Sequence, residues 1–177
     1  MKKNYLSLFN THFSFRGGFT LIELVIYIGV LSILLVSLSS VFTSIIDVQL
    51  DSTSTSSVNQ DGRYLLSKLL YDVKSSSSIV IPATPGSQSS TMQLTINSIN
   101  YTYSASSSGY FKVVNTSTWE ANALNSYDTS VSGLTFTRIG NGGSSDDIQV
   151  SFTVSSRNTE RAGAVESKSF QTTLGTQ

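Results

Sequence analysis

Two glycines, a phenylalanine and an acid carry the chemistry legible in this chain. The stretch Arg16-Gly17-Gly18-Phe19-Thr20-Leu21-Ile22-Glu23-Leu24 closes a basic leader and opens an apolar run. Glu23 is the only charged residue between Phe19 and Ile46. Hydrolysis after Gly18 removes the leader and leaves the apolar segment on the product. The same cut creates an amine at Phe19, four residues before the carboxylate of Glu23. Opposite charges attract strongly where the dielectric is low. Within one straight helix Glu23 does not easily reach its own terminus, so the amine of a neighbouring subunit is its natural partner. A local role is the alternative. Thr20-x-x-Glu23 fits a capping box at a helix start, a task that glutamine performs as well as glutamate.

The element that must position these residues is the apolar run, 28 residues from Phe19 to Ile46. About 20 apolar residues suffice to cross a bilayer as a helix, and lipid offers no partners to unpaired backbone groups, so a helix is the required form. An acid inside such a segment costs a few kcal/mol even on lenient scales and therefore normally has a partner. Lys2, Lys3 and Arg16 precede the run with no acid among them, whereas Asp47, Asp51 and Asp61 follow it before the first base, Arg63. The positive-inside rule then places residues 1–18 in the cytoplasm and everything after residue 47 outside. An ordinary secretory signal has a shorter apolar core followed by a small-x-small cleavage site. Here the run is longer and the small residues stand before it. An uncleaved anchor leaves Glu23 unexplained.

Beyond the run, residues 47–57 (DVQLDSTSTSS) are polar and hydroxyl-rich, and such residues are mediocre helix formers. Val58, Gly62, Leu65, Leu66, Leu69, Leu70 and Val73 then recur at three- and four-residue spacing, with Asp61, Arg63, Lys68, Asp72 and Lys74 on much of the remainder. This pattern predicts an amphipathic helix. One helix from Phe19 to about Ser77, on the order of 90 Å long, is the simplest reading. Whether it breaks near 51–57 is left open. Pro82 and Pro85, with Gly86, exclude helix beyond that point.

The outer stripe needs a cover, and the cover reads as sheet. Runs at 91–96, 99–104 and 109–114 are short, β-branched and aromatic, with Asn97-Ser98 placed for a tight hairpin. A second set occupies 131–139, 148–155 and 165–174, in which Ile148, Val150, Phe152 and Val154 alternate with polar residues. The segment 115–129, with Trp119, crosses between the sets. The expected fold is α+β, a long N-terminal helix with a membrane-spanning first half, packed on an antiparallel head. Its divisions are a leader (1–18), a transmembrane half (19–46), an amphipathic outer half (47–78) and a β head (79–177).

Composition narrows the function. Lys+Arg and Asp+Glu number 11 each, and removal of the leader leaves 8 bases against 11 acids, with no basic stripe for nucleic acid. Cysteine is absent, so no disulfide staples the head. The only histidine, His12, leaves with the leader, which excludes Ser-His-Asp and Cys-His sites from the mature chain. Glu120, Asp128, Asp146, Asp147, Glu160 and Glu166 show no catalytic spacing and read as solvated loop acids. Gly140–Asp147 is rich in oxygen donors and glycine but lacks the EF-hand pattern, so a turn is preferred over a calcium loop. Trp119, Tyr101, Tyr103, Tyr110 and Phe111 are read as core or strand-face packing rather than an adhesive patch. No catalytic residue, cofactor or metal is expected.

Gly18-Phe19-Thr20-Leu21-Ile22-Glu23 resembles the processing site of type IV pilins and type II secretion pseudopilins, and the resemblance extends over roughly residues 16–46. It implies a prepilin peptidase that cuts between Gly18 and Phe19 and methylates the new amine of Phe19. It also implies that Glu23 neutralises a neighbour's terminus and sets axial register. Many major pilins carry a helix-kinking proline that this helix lacks. Gly29, Ser32, Ser37, Ser39 and Ser40 are its only soft points, and close helix packing is the preferred reading for them. Gly62–Val73 and Val131–Phe136 are similar to segments of J-type minor pseudopilins and related large minor pilins. The function implied is a structural, minor filament subunit. Its partners would be other pilin or pseudopilin subunits, prepilin peptidase, an inner-membrane assembly platform and, before assembly, the lipid bilayer. Alternatives are a membrane-anchored tip adhesin, a competence-type pilin for DNA uptake, and an unprocessed single-pass envelope protein.

Overall fold

The computed structural model describes residues 18–140, 147–157 and 165–176. The chain divides into two compact units at Ser44. One helix, α1 (Leu21–Ser75), contributes to both. In the first unit every residue from Leu21 to Ser44 is exposed except Glu23, which is half-buried. Hydroxyls there are engaged by the helix itself: Ser32 donates to the Ile28 carbonyl at 2.7 Å, and Ser40 to that of Val36 at 3.1 Å. Helix α1 shows no break at Gly29 or at the nearby serines.

It is equally continuous through 51–57. Hydroxyl and amide side chains loosen a helix when they compete for its backbone groups. Here they leave it unbroken, their side chains turned back along it: Thr53 Oγ1 donates to the Gln49 carbonyl and Asn59 Nδ2 to that of Thr55, both at 2.8 Å. The helix ends where Ser76 turns both its N–H and its hydroxyl back to the Val73 carbonyl. Ser77 N–H then bonds the Thr95 carbonyl at 2.8 Å and starts the sheet.

Among the described residues nine strands follow, all antiparallel to their neighbours and divided between two sheets. The first sheet comprises β1 (Ser78–Ile81), β3 (Thr91–Ile96), β4 (Ile99–Ala105), β5 (Phe111–Asn115) and β6 (Glu120–Ala123), in that spatial order. The second has the order β2-β7-β8-β9, with β2 at Gln88–Ser89, β7 at Thr129–Ile139, β8 at Asp147–Ser156 and β9 at Ser167–Gly175. The two sets read from the sequence fall one in each sheet, but β1, β2 and β6 were not among them, and because β6 lies within 115–129 the crossing between the sheets shortens to 124–128. Asn97 and Ser98 both have positive φ (52° and 65°), as a hairpin turn whose twist matches its strands requires. Strand β7 carries a bulge between Ser132 and Thr135, with Gly133 at φ 62°. The extra residue rephases the strand, so that Val131, Leu134 and Phe136 all face inward.

The core joins one stripe of α1 to both sheets. Ser54, Val58, Gly62, Leu65, Leu69, Asp72 and Val73 are its buried residues. Two expectations for this helix are corrected. Leu70 lies off the stripe and is 39% exposed, whereas Asp72, assigned to the polar face, is buried at 4%. Three- and four-residue steps from Leu65 and Leu69 lead to Asp72 and Val73 rather than to Leu70. Against the stripe lies a row of rings that passes from one sheet to the other. Tyr103 (β4) meets Phe111 (β5) at 6.4 Å between centroids, Phe111 meets Phe152 (β8) at 6.4 Å, and Phe152 meets Phe170 (β9) at 5.6 Å. Phe170 ends the row on Gly62, where a Cβ would come within 2.1 Å of the ring. Glycine is thus required by close approach.

Polar contacts fasten the helix as well. The Asp61 carboxylate accepts from Ser126 N–H (2.8 Å), Ser126 Oγ (2.7 Å) and Thr129 Oγ1. Asn125 then accepts from Phe111 N–H and donates to the Thr129 carbonyl, which ties the crossing to both sheets. Gly62→Ala is expected to destabilise the head by a net of about 1 kcal/mol, overpacking outweighing the helix propensity of alanine. Phe170→Leu in the same chain should recover part of that loss. Thermal unfolding of the full chain in detergent checks the coupling, and strict additivity of the two changes would refute it.

Candidate functional site

The site is built at the start of α1. Gly18, Phe19 and Thr20 precede the helix, are exposed, and present the Gly18–Phe19 bond in non-helical backbone. Thr20 is the cap: its Oγ1 accepts the Glu23 N–H at 3.3 Å and its carbonyl accepts the Leu24 N–H at 3.1 Å. Half of the predicted capping box is therefore present. The Glu23 carboxylate has a different contact, for the Tyr27 hydroxyl donates to its Oε1 at 2.9 Å. The Tyr27 ring meets Phe19 edge to face, 5.9 Å between centroids and 80° between planes. The structure thus brings Phe19 and Glu23 together through a residue that the sequence reading did not single out. Its signal was available in the spacing, since Tyr27 stands four residues beyond Glu23 and eight beyond Phe19.

The other predicted positions are dispersed. Glu120 is exposed on β6, Asp128 lies in the crossing and Asp147 opens β8. Asp146, Glu160, His12 and the interior of the 140–147 loop lie outside the described residues. Tyr103 and Phe111 are in the core, which bears out packing for these two, and Tyr110, half-buried just before β5, lies under the Arg157 guanidinium at 4.7 Å. The packing expected of Trp119 is corrected: it is 78% exposed at the β5–β6 turn, where its φ of 57° accompanies the tight reversal between the strands.

Among the described residues the head contains a buried acid–phenol pair. Asp72 Oδ2 accepts from the Tyr103 hydroxyl at 2.7 Å, and Oδ1 accepts from Lys68 Nζ at 2.8 Å. Burial pushes the Tyr103 phenol above its ordinary range, and the hydrogen bond to Asp72 and the charge on it add to that shift. The pair joins α1 to β4 with its polar groups satisfied, a structural arrangement rather than an acid–base one.

With this geometry in place, the helix start can be compared with known families. Residues 14–39 match the prokaryotic N-terminal methylation motif. The match spans the leader's end, the Gly18–Phe19 junction, Glu23 and Tyr27. It supports a type IV pilin-like family and marks the chain as a pilin- or pseudopilin-type substrate of prepilin peptidase. An apolar helix carrying this motif fits a membrane-anchored pilin, and α1 is long and apolar enough to cross a membrane. No curated protein and no solved structure matches the chain.

The Tyr103 shift has a consequence for stability. A phenol held neutral in the folded head favours folding at every pH below its unfolded value, near 10, and that contribution is lost as pH rises further and the unfolded chain ionises. Stability is expected to fall above pH about 10. Tyr103→Phe should remove this part of the slope and cost about 1–3 kcal/mol at neutral pH by depriving buried Asp72 of a donor. Denaturant unfolding of both chains between neutral and alkaline pH measures the two effects.

Proposed function

We propose that the chain is a structural, minor subunit of a type IV pilus or type II secretion pseudopilus, assembled through its N-terminal helix. Prepilin peptidase cuts between Gly18 and Phe19, removes residues 1–18 on the cytoplasmic side and methylates the amine of Phe19. Residues 19–46 hold the product in the cytoplasmic membrane, with the amphipathic segment 47–78 and the head 79–177 outside. The subunit is then drawn from the bilayer by an inner-membrane assembly platform into a filament of other pilin or pseudopilin subunits. Its Glu23 pairs with a neighbour's terminal amine and sets the axial register.

The observation that carries this reading is the methylation motif at 14–39 running into an apolar helix segment that the protein's own fold leaves uncovered. Exposed apolar surface of that extent needs lipid or other helices around it. The exposed, non-helical Gly18–Phe19 junction suits a peptidase, and the half-buried carboxylate one turn on suits a docking charge. The minor-subunit assignment draws on Gly62–Val73 and Val131–Phe136, which contribute Leu65, Leu69, Val73, Val131, Leu134 and Phe136 to one core. The role is one of assembly rather than catalysis.

Mass spectrometry of the mature N-terminus tests the reading, with N-methyl-Phe19 as the expected first residue. An intact Met1 would sink it. Glu23→Ala and Glu23→Lys are expected to leave cleavage unchanged and to block incorporation. Normal co-purification of either variant with filaments would refute the register role.

A further inference from the structure

Glu23 and Tyr27 stand four residues apart on one side of α1, and Phe19, just before the helix, brings its ring to Tyr27. Tyr27 touches both of the others, through its hydroxyl at Glu23 Oε1 and through its ring at Phe19. Glu23 is half-buried where every other residue from Leu21 to Ser44 is exposed. In hydrocarbon a carboxylate without a donor is strongly disfavoured, so a lone subunit in the bilayer needs a donor from its own chain. The Tyr27 phenol is such a donor, one turn away and without the need for a second molecule. It is also the weaker kind of donor, a neutral group, whereas an amine brings a full opposite charge.

We propose that Tyr27 is a positioning residue that holds the Glu23 carboxylate while the subunit resides in the membrane and yields it to a neighbour's Phe19 amine on assembly. The inference rests on the filament-subunit reading and adds to it a built-in partner for the unassembled state. The ring contact with Phe19 places the same side chain beside the residue whose amine the cut releases.

The test uses the full chain labelled with 13C in tyrosine, in phosphatidylethanolamine–phosphatidylglycerol vesicles and in assembled filaments. Isotope-edited infrared spectra, differenced against Tyr27→Phe, isolate the Tyr27 C–O stretch, which reports whether the phenol donates. A strong-donor signature is expected in vesicles, lost in Glu23→Ala and lost on assembly. Absence of that signature in vesicles, or its survival in Glu23→Ala, overturns the pairing. An identical signature in filaments overturns the release. Tyr27→Phe keeps the ring on Phe19 and is expected to leave N-methylation unchanged while raising the filament-to-membrane ratio up to about tenfold. An unchanged or lower ratio counts against the proposal. A chain that keeps Met1 and never enters filaments defeats the subunit reading but leaves the vesicle measurement standing. A methylated, incorporated chain with a silent Tyr27 defeats only this inference.

Discussion

Apolar surface must leave water, and α1 meets that demand in two ways along its length. From Val58 to Val73 its stripe is covered by the head, with Val58, Leu65, Leu69 and Val73 fully or almost fully buried. From Leu21 to Ile46 no part of the fold covers it, and Ile22, Ile33, Val36 and Phe42 are all more than half exposed. The first segment decides how the strands are arranged. The second means that the folded chain is unfinished in water and needs hydrocarbon or other helices for completion. Each remaining feature follows from one of these two requirements.

In the head, cover for the stripe comes from two sheets that share a single row of rings. Tyr103, Phe111, Phe152 and Phe170 carry the contact from one sheet into the other, and Gly62 admits the last ring against the helix. Polar contacts register the helix on this surface. Asp72 reaches β4 through Tyr103, Asp61 holds the crossing, and Lys168 of β9 donates to Asn59 Oδ1 at 2.6 Å. Apolar burial is non-directional, whereas hydrogen bonds with fixed donors are directional and add to the fit of ring on glycine. Their combination gives the head one alignment of helix on strands.

Much of this architecture is legible in the residues, and the gaps have physical causes. Strong period-two alternation marked β8, and the Asn97-Ser98 turn marked the β3–β4 hairpin. By contrast, Glu120–Ala123 forms a fully exposed strand and carries no alternation to read, and Gln88–Ser89 is too short for any pattern. Asp72 was assigned to solvent because an acid usually is. Its burial depends on Tyr103, 31 residues away, and no local window contains that partner. At the helix start, the Gly18–Phe19 junction and Glu23 stand out because they violate the apolar pattern around them. Tyr27 conforms to it, since a tyrosine in an apolar run looks like another packing residue; its four-residue spacing from Glu23 was the one sequence signal, and its hydroxyl on Oε1 makes the connection.

The serines of the apolar segment bear on how such a helix meets others. Ser32, Ser40 and Ser44 each donate their hydroxyl proton to a carbonyl one turn back in the same helix. A proton already given inward exerts no directional pull on an adjacent helix. For these positions, rotation about the helix axis is then governed by shape, which varies gently around a surface rich in Leu, Ile and Val, while under the proposed pairing of Glu23 with a neighbour's terminus translation along the axis would be governed by a single charge. On that proposal the helix would have a sharply defined height and a loosely defined azimuth, so a bundle built from it could twist without losing its axial step.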